Sequence, residues 1–141
     1  MPTLKVPATL DNLKVVNTFI EENIPQECAF LRPHVELVAE ELLVNVFMYA
    51  YEDNEQGEAE VGCREVFLDD EEYFCFWVCD SGKPFNPFLE APEPDLTSDA
   101  ENRPIGGLGI HLIKSLTKHY SYSYADKRNL IELYFSKVEN A

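Results

Sequence analysis

The hydrophobic pattern along this chain predicts an α+β fold, a two-layer sandwich in which helices cover one face of a sheet. Three observations carry that reading. Two pairs of strand-like segments, 58–68 with 73–79 and 119–125 with 130–137, are each joined by a short polar turn, so the paired strands are antiparallel neighbours. Helical spacing is confined to separate stretches between and before those pairs. A length of 141 residues fits one domain with a core that needs neither disulfide nor metal. The expectation is a single domain over 1–141, without repeats or linker.

The elements follow in order. Thr3 to Ala8 alternates weakly and reads as a first strand. Asp11 is placed to cap a helix to about Asn23, with Leu13, Val16, Phe19 and Ile20 as its apolar stripe and Pro25 closing it. A long helical stretch runs from about Glu27 to Tyr51, with Leu31, Val35, Val38 and Leu42 at helical spacing; Pro33 suits only its first turn. The first strand pair follows, with Asp69, Asp70, Glu71 and Glu72 as its loop. Lys83 to Pro104 contains five prolines and little periodicity. A structureless loop of about 20 residues is uncommon in a compact domain and is usually functional, for instance a lid. A helix with a glycine-rich start then spans Gly106 to about Lys118, and the last hairpin turns at Asp126, Lys127, Arg128 and Asn129.

Composition narrows the function classes. Hydrophobic residues at 45% and charged residues at 26% are globular values, which argues against a wholly disordered chain. Eleven Lys+Arg against 26 Asp+Glu give a net charge of −15. Such a field repels phosphate backbones and anionic lipid, so direct nucleic-acid and membrane partners are not expected. The acidic residues cluster at 52–60, 69–72 and 90–101, as a solvated rim or as a docking surface for a basic partner. The first residues show no charged-then-apolar leader. Cys28, Cys63, Cys75 and Cys79 form no C-x-x-C pair and read as free thiols in a reducing cytoplasm. His34, His111 and His119 add no zinc-ligand spacing.

Three constellations could carry chemistry. From Leu42 to Tyr51 every residue is apolar or aromatic except Asn45, and Glu41 lies one turn earlier on the same face. An amide oxygen there can ligate a hard cation while the carboxylate takes a proton. The alternative is an internal hydrogen bond for Asn45 and a solvated Glu41. Asp80 ends an apolar strand on the face of Phe74, Phe76 and Val78 and is followed by Ser81 and Gly82. A carboxylate there is costly unless it is paired or meets a ligand donor; a plain turn is the alternative. Gly106, Gly107, Leu108 and Gly109 open a helix, which exposes backbone N–H groups to an anion such as phosphate. Arg103 and Lys114 add charge nearby; a flexible hinge is the other reading.

The order of all three is more specific than any one. Glu-x-x-x-Asn in a long helix, Asp-x-Gly after a strand, a proline-rich segment and Gly-Gly-x-Gly opening a helix resemble the GHKL (Bergerat) ATP-binding superfamily. Asp80-Ser81-Gly82-Lys83-Pro84-Phe85-Asn86-Pro87 and Gly106-Gly107-Leu108-Gly109-Ile110-His111-Leu112-Ile113-Lys114 are similar to the motifs of its small anti-sigma-factor serine kinases. The resemblance implies a mixed, mostly antiparallel sheet with helices on one face and a lid at about 83–105. It implies that Asp80 takes the adenine amine, Gly82 lets the base approach, and Asn45 holds Mg²⁺ on the phosphates of ATP. Pro84, Phe85, Gly106, Gly107, Leu108 and Gly109 then belong to the nucleotide pocket, Gly107 and Gly109 through their N–H groups. Glu41 becomes the base that activates a serine hydroxyl, and Arg103 touches the terminal phosphate or the partner.

The implied partners are a sigma factor or similar regulatory target, a small anti-sigma-factor antagonist as phosphoacceptor, and a second copy of the chain as a homodimer. Tyr49, Thr117 and Lys118 depart from residues common among such relatives, and the lid is unusually acidic. Tyr73, Cys75 and Trp77, together with Tyr120, Tyr122 and Tyr124, offer aromatics for the sheet face that helices leave open, either as cross-strand packing or as the homodimer contact. Other functional readings are a catalytically silent ATP-binding module that gates a protein partner, a histidine-kinase ATPase domain without its companion, and an acidic interaction domain without nucleotide.

Overall fold

A computed structural model describes residues 2–49, 57–90 and 107–138. Five strands, β1 (Thr3–Pro7), β2 (Glu58–Leu68), β3 (Glu71–Asp80), β4 (His119–Ala125) and β5 (Arg128–Ser136), form one sheet in the order β1-β2-β3-β5-β4. Every pairing among them is antiparallel, where a mixed, mostly antiparallel sheet was expected. Helices α1 (Leu13–Asn23), α2 (Arg32–Tyr49) and α4 (Gly107–Leu116) are the main helices, and a single turn, α3 (Pro87–Glu90), precedes α4. The α+β sandwich predicted from the sequence is the observed architecture.

The core lies between the sheet and the helices. Val61, Phe74, Phe76, Val78, Ile131, Leu133 and Phe135 supply the sheet side. Val16, Phe19 and Ile20 of α1 and Val35, Val38, Leu42 and Leu43 of α2 supply the helix side. The period of 2 in the strands and of 3.6 in the helices thus meet at one interface. No helix among the described residues is long and apolar enough to cross a membrane.

Boundaries differ from the expected ones for local reasons. Asp11 does not cap α1: it lies in a 3₁₀ turn, Leu10–Asn12, and the helix starts at Leu13 behind it. The stretch before α2 is also 3₁₀, Gln26–Leu31, and Pro33 falls in the first turn of α2, where its missing N–H costs nothing. The turn between β2 and β3 is only Asp69-Asp70, with φ of 51° and 65°. Asp126-Lys127, with φ of 53° and 62°, joins β4 to β5 in the same way. Two left-handed residues in a row are the mirror-image turn that matches strand twist.

The aromatics divide between the two faces differently from the expectation. Tyr120, Tyr122 and Tyr124 stand opposite Leu133, Ile131 and Asn129 and so share the helix-covered face. Tyr122 packs on the core, and Tyr120 meets Phe88 at 4.4 Å between ring centroids. The open face holds Tyr73, Cys75 and Tyr134, which pack as a second cluster beside the Arg64–Glu132 ion pair. On that face Trp77 lies across Gly62, where any Cβ would overlap the indole. All four cysteines are free and buried; burial pushes the Cys63 thiol up to about 12 and the Cys75 thiol to about 11, so they act as small hydrophobes.

The turn gives a first prediction. Replacing Asp69-Asp70 by Asn-Gly removes the strain of positive φ and should stabilise the protein by about 1 kcal/mol, read by urea denaturation. An unchanged midpoint would show that the aspartates carry no such strain.

Candidate functional site

The candidate site has two parts, one at the end of β3 beside the start of β5 and one where α2 packs against the first turn of α4. Asp80 is the last residue of β3 and pairs with Asn129, the second residue of β5. Both are buried. The Asp80 carboxylate accepts hydrogen bonds at Oδ1 from the Gly82 N–H at 2.9 Å and from Asn129 Nδ2 at 2.9 Å. Burial nonetheless dominates and holds its pKa above the ordinary 3.8, although both hydrogen bonds and the Arg128 charge pull the other way.

Asn129 is the anchoring residue of the candidate site that sequence reading misses, because it looks like part of the last turn. Its Nδ2 also donates to the Lys83 carbonyl at 2.9 Å and reaches the Gly82 carbonyl at 3.4 Å. Its Oδ1 accepts from the Phe85 N–H at 3.1 Å and from the Tyr122 hydroxyl. One amide therefore fixes the path of residues 80–85. The signal was available: 129, 131, 133 and 135 share one strand face, and three of them are core residues. Phe85 is buried and Pro84 is exposed. Asn86 then caps α3, its Oδ1 accepting from the Phe88 N–H at 3.0 Å, with Pro87 as the first helical residue.

α2 places Glu41 and Asn45 one turn apart. Asn45 is fully buried, and its Nδ2 donates to the Glu41 backbone carbonyl at 2.9 Å. Only the nitrogen of an amide can donate, so this bond leaves Oδ1 as the acceptor, and among the described residues Oδ1 is buried without a hydrogen-bond partner. Such an atom is costly unless a ligand meets it. Glu41 is half-buried; desolvation first, and the neighbouring Glu40 second, raise its pKa. Its carboxylate lies against the first turn of α4, where Gly109 leaves space for it.

The structure thus brings the predicted residues together in two groups: Glu41 and Asn45 of α2 with Gly109 of α4, and Asp80, Gly82 and Phe85 around Asn129. Gly107 and Leu108 are the first two residues of α4. Arg103 and Gly106 lie outside the described residues, as does the lid beyond Glu90. Lys114 does not serve the start of α4: two turns further on, it donates to the Phe88 carbonyl at 3.1 Å and lies 6.0 Å from the Tyr120 ring centroid. The groove of about 500 Å³ lined by Phe30, Leu31, His34, Leu116 and Phe135 is at the opposite end of the sheet.

A family model described as a histidine kinase-like ATPase domain matches residues 6–135. The chain belongs to this GHKL-type ATPase family. Its motif order and the sandwich around it are those of an ATP-binding domain. No curated protein matches the chain. The histidine kinase domain from the Erythrobacter litoralis EL346 blue-light activated histidine kinase superposes with a TM-score of 0.50 at 15% identity, over 93% of this chain and 61% of that one. The Acinetobacter baumannii histidine kinase AdeS gives a TM-score of 0.49 at 11% identity, over 99% and 70%. The ATPase domain described here therefore spans less than two thirds of the first of these chains, and the likeness is one of fold.

Magnesium can be tested against the residues present. Among the described residues no group of three His, Cys, Asp or Glu could hold a metal ion. Mg²⁺ in nucleotide sites keeps waters and phosphates and takes only one or two protein ligands. The orphaned Oδ1 of Asn45 fits that demand.

Two predictions follow from the geometry. Asn129→Ala leaves the Phe85 N–H and the Lys83 carbonyl without their partner and should cost about 2 kcal/mol or more in unfolding free energy. Asp80→Asn keeps an oxygen for Gly82 and Asn129 but removes a buried charge. Folded Asp80 holds its proton above 3.8, so its ionisation lowers stability as pH rises from that value through the raised one. The variant should therefore melt no lower than wild type at pH 7, and that advantage should vanish in acid. A thermal melt series across pH checks both the sign and the window.

Proposed function

We propose that this ATPase domain is an ATP- and Mg²⁺-dependent protein serine kinase of the anti-sigma-factor type. In this reading it binds a sigma factor or similar regulatory target and phosphorylates a serine on a small antagonist protein. The observation that carries it is the pairing on α2 of a raised carboxylate, Glu41, with a buried and unpartnered amide oxygen, Asn45 Oδ1.

Each residue has a defined task. Asp80, locked by Gly82 and Asn129, accepts the exocyclic amine of adenine. Phe85 is held beside it by the Asn129 side chain. Asn45 would hold Mg²⁺ on the phosphates, where the ion supplies charge neutralisation. The N–H groups of Gly107 and Gly109 face the phosphates from the positive end of α4. Glu41 takes the proton from the serine hydroxyl as its oxygen bonds to the γ-phosphorus and the bond to the bridging oxygen of ADP breaks. Burial raises the Glu41 pKa, which makes it a better base than an exposed carboxylate. Phosphoryl transfer needs little more than positioning, charge neutralisation and such a base. A homodimer and a cytoplasmic location complete the reading.

Calorimetry with ATP tests it, with and without Mg²⁺. Saturable binding that needs Mg²⁺ and is lost in Asp80→Asn is the expected result. Glu41→Gln should keep ATP affinity within about twofold and lower transfer from γ-labelled ATP to a purified anti-sigma-factor antagonist by about a hundredfold or more. Binding without any transfer would leave a nucleotide-gated interaction module. No binding at millimolar ATP would overturn the reading.

A further inference from the structure

Gly109 occupies the third position of α4, inside a helix, where glycine is the poorest residue after proline. Its φ lies outside the left-handed region, so the backbone does not require glycine. What it requires is room. A Cβ at 109 would overlap Glu41 Oε2 and would stand 3.1 Å from Glu41 Cδ and 3.3 Å from Glu41 Cβ. Among the described residues, the three nearest atoms outside the local backbone all belong to Glu41.

We infer that Gly109 is a positioning residue for Glu41: the space of its missing side chain is where the carboxylate is held against the first turn of α4. The inference rests on Glu41 as the base in the reading above. It gives the last glycine of the motif a task apart from phosphate binding, because an alanine there keeps the backbone N–H and removes only the space. The nearest obstructing atom is the free end of a flexible side chain. Alanine therefore turns the Glu41 carboxylate away from α4 before it moves either helix, and its effect falls on the base more than on the fold. Asn45 is untouched, since it is anchored to the Glu41 backbone and not to its side chain.

The test is a double-mutant cycle with Gly109→Ala and Glu41→Ala, read in two ways. The first readout is stability by denaturant unfolding. Gly109→Ala should raise the unfolding constant about fivefold more when Glu41 is present than in the Glu41→Ala background. Equal effects in both backgrounds would overturn the inference, whatever the protein's activity. Should Gly109→Ala alone fail to fold, a folded double variant supports the inference and an unfolded one overturns it. The second readout is hydrolysis of Mg-ATP, with water as the acceptor. Gly109→Ala should lower kcat about tenfold or more with KM for ATP unchanged, and the double variant should be no slower than Glu41→Ala. Wild-type kcat in Gly109→Ala would overturn the inference. If the wild-type protein turns over no ATP with water as acceptor, the base assignment is decided by transfer to the antagonist, and the unfolding cycle alone decides whether Gly109 makes room for Glu41.

Discussion

The Asn129 side chain is the constraint on which the candidate site depends. Residues 81–86 leave the sheet with no ladder of their own, and a buried backbone cannot leave its polar groups unpaired. Asn129 solves this from the neighbouring strand. Its amide nitrogen serves the Asp80 carboxylate and the Lys83 carbonyl, and its oxygen takes the Phe85 N–H. The pairing of Asp80 with Asn129 in the β3–β5 register puts the amide within reach. A register slip by one residue would turn Asn129 to the open face and the loop would lose its anchor. Site and sheet are therefore one structural unit.

The same logic explains what the sequence made legible. Helix stripes such as Val35, Val38 and Leu42, and the alternation of Phe74, Phe76 and Val78, report burial directly, and the structure buries all six. Hairpins were readable because a polar break between two alternating runs has few other solutions. Asn45 and Asp80 stood out for the opposite reason: each is polar where its element is apolar. Less legible were features that depend on a partner far along the chain. Asn129 looks like a turn residue until the strand beside it is known. Lys114 looks like a phosphate ligand until Phe88 is seen to take its amino group. The faces of Tyr120, Tyr122 and Tyr124 were ambiguous, because alternation gives two faces without saying which one the helices cover.

Gly109 belongs to a different class. A glycine pattern at a helix start suggests exposed N–H groups, and that reading needs no neighbour. The structure adds a steric reason that lies 68 residues away in sequence, on α2 (109 minus 41). Such a reason leaves no local trace, because the pattern is the same whether the missing Cβ makes way for a phosphate or for a carboxylate. Only the packing of α2 against α4 separates the two.

The electrostatics of the site then point one way. Two carboxylates, Asp80 and Glu41, are held where burial penalises their charge, which costs stability and is a pattern common at binding and catalytic sites. Lys114 does not compensate at the start of α4, since it is committed to α3. A chain of net charge −15 with two buried carboxylates is a poor host for a bare polyanion. Under the proposed function it becomes a good one, because the neutral amide oxygen of Asn45 would offer a seat to a divalent cation that arrives with the nucleotide. Under the proposed function, the acidity of the chain is therefore not at odds with ATP. It selects the magnesium complex over the free nucleotide, because the field that repels the second is neutralised locally for the first.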